Sequence, residues 1–102
     1  GLMPAEDSIP ESHSSYMVAL DGIKQLYKGA RFEAALIETD GLLRTYPTDP
    51  KLYSMRGTLL ERLGQADLAL KSWNQALRFD PGNAALRRFI ERRQQKRSLA
   101  SP

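Results

Sequence analysis

The chain repeats itself at an interval of 34 residues, and that period limits what it can fold into. Ala35 returns as Ala69, Leu26 as Leu60, Pro47 as Pro81, and Leu42-Leu43 as Ala76-Leu77. No stretch shows the strict polar–apolar alternation of a strand, so a unit of this length is read as two helices and a turn. One such pair cannot bury its apolar face alone, and copies must stack. The expected fold is all-α, a short array of helix-turn-helix units.

The unit 50–83 is the more regular copy. Counted from Pro50, it places Tyr53 at position four, Gly57 at eight, Leu60 at eleven and Gly64 at fifteen. Ala69 follows at twenty, Trp73 at twenty-four, Ala76 at twenty-seven and Pro81 at thirty-two. Gly57 and Ala69 are small enough to let two helices approach closely, and Tyr53 and Trp73 are read as packing residues between neighbouring pairs. Gly64 permits a left-handed turn, and Pro81 ends the helix before it. Leu52, Leu59 and Leu63 complete an apolar stripe at helical spacing.

This set of residues resembles the tetratricopeptide repeat. The resemblance implies helix pairs stacked in a right-handed superhelix, with a ligand-facing groove built mainly by the first helix of each pair. Arg56 departs from the family pattern, which usually has Leu there. The unit 16–49 is degenerate, with Ile23 in place of Gly57 and Thr39 in place of Trp73. Gly22 aligns with Gly57 only if the turn near Gly29 holds one extra residue, and a shifted first helix is the expectation. Asn83 is a helix N-cap candidate. Leu86, Phe89 and Ile90 then form one face of a capping helix, 84–97, ahead of a tail, 98–102. Residues 1–15 carry Pro4, Pro10 and four serines, and read as a disordered linker or a remnant of expression.

Composition bounds the function. The chain has 102 residues and no cysteine, which excludes disulfides and thiolate chemistry. The single histidine, His13, falls in the expected linker, and no phosphate loop, metal-ligand spacing or Ser-His arrangement appears. Glu33, Glu38 and Asp40 read as a solvated acidic face. The chain is therefore read as non-catalytic, without cofactor or metal. No apolar run reaches membrane-spanning length, and the compartment stays open between the cell envelope and the cytoplasm of a bacterium. Residues 1–50 carry four basic and eight acidic side chains, whereas 51–102 carry eleven basic and four acidic.

What the resemblance implies for the site is a docking groove. In the 34-residue register its candidates are Lys24, Tyr27, Lys28, Met55, Thr58, Arg62, Arg88, Phe89 and Arg92, with Leu20 joining Tyr27, Met55 and Phe89 as an apolar floor. Such a surface suits a protein or peptide with apolar anchors and acidic residues. The family's clamp for a chaperone tail needs Lys and Asn at groove positions that here hold Leu20 and Lys24, Met55, Ala85 and Phe89, which argues against that ligand. Two other readings remain. One is a homo-oligomeric scaffold associating through the first unit. The other is an anionic partner, nucleic acid or lipid, on the last helix, whose Arg87, Arg88, Arg92, Arg93, Lys96 and Arg97 lack interleaved aromatics.

Overall fold

A computed structural model describes residues 11–100 and shows five helices among them: α1 (Glu11–Lys28), α2 (Phe32–Thr45), α3 (Pro50–Arg62), α4 (Ala66–Phe79) and α5 (Ala84–Ala100). Consecutive helices pack on one another as an all-α helical repeat array. The expected disorder of residues 1–10 and the end of the tail lie outside the described residues. Residues 11–15 of the stretch read as linker are helical and belong to α1, position 13 among them.

The turns show the repeat in atomic detail. After α1, the N–H groups of Gly29, Ala30 and Arg31 donate to the carbonyls of Gln25, Tyr27 and Leu26. After α3, those of Leu63, Gly64 and Gln65 donate to Leu59, Glu61 and Leu60, each 34 residues on. Both turns have three non-helical residues, so the extra residue expected near Gly29 is absent and the strict register holds. Ile23, not Gly22, stands at the position of Gly57. Gly64 has φ +78°, and its counterpart with φ +60° is Ala30 rather than Gly29. A left-handed alanine is strained where glycine is not. The next corners match too. Asp49 caps α3 by accepting from the Lys51 N–H at 3.0 Å, and Asn83 Oδ1 accepts from the Leu86 N–H at 3.0 Å, as its N-cap role requires.

The core has two clusters. Leu60, Ala69, Leu70, Trp73 and Ile90 form one; Ile23, Ala35 and Leu59 form the other; Leu36 packs against both. Gly57 explains how α3 and α4 come together. A Cβ there would fall inside Trp73 Nε1 and Cδ1, and 2.8 Å from Cε2. Trp73, 2% exposed, then meets Phe89 of α5 edge-on at 4.8 Å. Tyr53 stacks on Phe79 of its own pair at 5.6 Å, and its hydroxyl reaches the preceding unit by donating to the Pro47 carbonyl.

Arg56, the departure from the expected Leu, ties three helices. Its Nε donates to Asp40 Oδ1 of α2 and its NH1 to the buried Ser72 hydroxyl of α4, both at 2.7 Å. Asp40 is thus half-buried and paired, not part of a solvated acidic face; Glu33 and Glu38 are exposed as expected. Near its start, α1 is held by Tyr16, whose hydroxyl donates to Asp49 and whose ring meets Tyr46 edge-on. Burial, reinforced by the bond to the Asp49 carboxylate, pushes the Tyr16 phenol up to about 12.

Candidate docking site

Helices α1 and α3 lie one repeat apart, and between them opens a cleft of about 400 Å³. Ile23, Tyr27, Met55 and Leu59 supply its apolar surface; Lys24, Lys28 and Lys51 are its charged residues; Ser54 and Thr58 complete the lining. No carboxylate lines it. The period-3.6 geometry explains the set. Positions 23, 24, 27 and 28 share one face of α1, as 51, 54, 55, 58 and 59 share one face of α3. Ile23 and Leu59 are buried at the back, while Tyr27 and Met55 are half-buried at the walls. Tyr27 is fixed in place. Its ring meets Phe32 edge-on at 5.4 Å, and its hydroxyl accepts from Arg62 Nε at 3.2 Å. The Arg62 guanidinium also lies 5.6 Å from the Tyr27 centroid and 5.5 Å from that of Phe32, a cation–π arrangement.

Five expected residues thus meet in one place: Lys24, Tyr27, Lys28, Met55 and Thr58. Arg62 adjoins the cleft through Tyr27 and does not line it. Leu20, expected in the groove floor, is buried at 3% exposure and belongs to the core.

Phe89 is half-buried and packs against the cluster of Trp73 and Ile90. It stands at the repeat position of Met55, but α4 brings Trp73 against it. Arg93 covers its face at 4.5 Å, and donates to both carboxylate oxygens of Glu61 at 2.9 and 3.2 Å. Glu61 and Arg93 occupy the positions of Tyr27 and Leu59, so an ion pair closes the place where the first junction is apolar. A hollow of about 340 Å³ remains toward the turn end, between Leu70, Trp73 and charged walls. Ala66 stands there where the first unit has Phe32.

The basic face of α5 is partly committed. Arg87 donates to the Pro81 carbonyl, Arg93 is bound to Glu61, and Arg97 pairs with Asp67. Arg88, Arg92 and Lys96 are exposed and make no ion pair among the described residues. At the other end, α1 presents Gly22 and Gln25 where α3 pairs a half-buried Arg56 with α2 and buries Leu59, and Val18 where α3 buries Leu52. Val18 is the one large apolar side chain of that set, which gives self-stacking at this end little to bury.

Among the described residues no cluster of metal-binding side chains occurs, and no helix is long and apolar enough to cross a membrane. The chain matches no family model and no curated protein.

Proposed function

We propose that the chain is a non-catalytic protein-interaction module, a short tetratricopeptide-type array that docks a segment of another protein in the α1–α3 cleft. The segment carries an apolar anchor and carboxylates. The observation that supports this reading is the lining of the cleft: an apolar surface with three lysines and no acid. Burying a leucine-sized anchor contributes about 1.5–3 kcal/mol. An exposed ion pair adds about 1 kcal/mol or less. The anchor therefore sets most of the affinity, and the lysines favour encounter with acidic segments over basic ones.

Selection from a random peptide display library tests the proposal. Wild-type protein should enrich sequences with an apolar residue near acids, and a Met55→Glu variant with an unchanged circular-dichroism melt should lose them. Enrichment that survives Met55→Glu, or none at all, contradicts it. A duplex oligonucleotide that competes with the selected peptides would point to a phosphate-bearing partner instead.

A further inference from the structure

The cleft is one of two equivalent junctions along the array, and the residues around the pair are unequal. The α3–α5 junction is closed by Phe89, Arg93 and Glu61. The hollow beside it has the Glu61–Arg93 pair, Lys96 and Arg97 around Leu70 and Trp73, so four charged side chains ring it. Charge is also graded along this side of the array. Asp21 is exposed on α1 at the repeat position of Met55, lysines line the cleft, and Arg62, Arg88 and Arg92 follow toward α5.

Resting on the docking reading above, we infer that the partner segment is extended, has one apolar anchor, and gathers its carboxylates on the side of that anchor that runs toward α5. An amphipathic helix seated in a groove needs several anchors in a row, and here one position is open. Packed helices lie about 8–10 Å apart, and an extended chain advances about 3.3 Å per residue. Each helix crossed is then about three residues of partner, which places the carboxylates about three to six residues from the anchor. Acids on the opposite side of the anchor would meet Asp21 beside Lys24 and Lys28, a weaker net positive charge.

Three 12-residue peptides of one composition, a single leucine and three glutamates in a glycine–serine background, separate the possibilities by NMR titration. The glutamates lie three to six residues before the leucine, the same distance after it, or split between both sides. One of the one-sided peptides should bind at least about fivefold more tightly than the split one. An Arg88→Glu/Arg92→Glu variant, folded by circular dichroism, should lose that preference and retain the weaker anchored binding. A peptide with a second leucine three residues toward the acids should gain nothing. Equal affinity for all three arrangements, or a gain of about tenfold or more from the second leucine, overturns the inference. The docking reading survives those results provided Met55→Glu still abolishes binding. Binding that ignores Met55→Glu, or no binding by any peptide, overturns both.

Discussion

The α1–α3 and α3–α5 junctions are built from the same repeat positions and present opposite surfaces. Tyr27, Met55 and Leu59 leave the first open and apolar, whereas Glu61, Phe89 and Arg93 close the second. The turns do not make this difference, since their hydrogen bonds match at a lag of 34 residues. Side chains make it, and one of them lies off the surface. Trp73, against Thr39 in the first unit, reaches Phe89 and holds it edge-on against the core. In a stacked array, the positions that set the fold and those that shape a docking surface are therefore coupled across one helix layer.

The largest test of this contrast is at those two buried positions. Trp73→Ala should destabilise the protein by about 3–5 kcal/mol in urea unfolding. Thr39→Ala, which removes a methyl and a hydroxyl bonded to the Ala35 carbonyl, should cost only about 1–2 kcal/mol. Comparable losses would mean that the second junction does not depend on Trp73.

A pair of glycines sharpens the register. Gly57→Ala drives a methyl into the Trp73 ring and should destabilise by about 1–3 kcal/mol. Gly22 has nothing within 4 Å of an added Cβ. Gly22→Ala should therefore stabilise, by about 0.5–1 kcal/mol from helix propensity. Destabilisation at both sites would restore the shifted alignment in which Gly22 plays the part of Gly57.

Smaller effects are expected from polar groups. Arg93→Ala should change stability by about 1 kcal/mol or less, because its pair with Glu61 is more than a third exposed. It should also bare the face of Phe89, giving the two-leucine peptide the advantage that wild type withholds. The anchoring of α1 has its own signature in pH. Tyr16 holds its proton more tightly folded than unfolded, so its contribution is complete below about pH 10. It is then lost as pH rises toward about 12, and Tyr16→Phe should remove that part of the alkaline loss of stability.

Much of this architecture was legible in the sequence. Gly64, Pro47, Pro81 and Asn83 mark turns by their own chemistry, and the 34-residue register carries Lys24, Tyr27, Lys28, Met55 and Thr58 to one cleft. What stayed hidden depends on contacts between distant residues. Gly22 suggested an extra turn residue because that would align it with Gly57, but the turn after α1 has the same three residues as the one after α3, with Ala30 in the left-handed place of Gly64. Phe89 matched the groove column, but its exposure is decided by Trp73 and Arg93. A signal was nevertheless present. Reading the columns of both junctions side by side turns the apolar pair Tyr27 and Leu59 into the opposite charges Glu61 and Arg93. Arg56 and Asp40 are a similar case, since their pairing explains a residue that the repeat pattern alone made anomalous.

The most direct test of the account uses protein labelled at methionine methyl carbons and titrated with the tightest one-sided peptide. Met55 lies in the cleft, and Met17 lies farther out on α1 with half of its surface exposed. A saturable shift of the Met55 methyl with Met17 unmoved is expected. A Met17 shift with Met55 unmoved, or binding that disturbs neither, would contradict the α1–α3 cleft as the docking site.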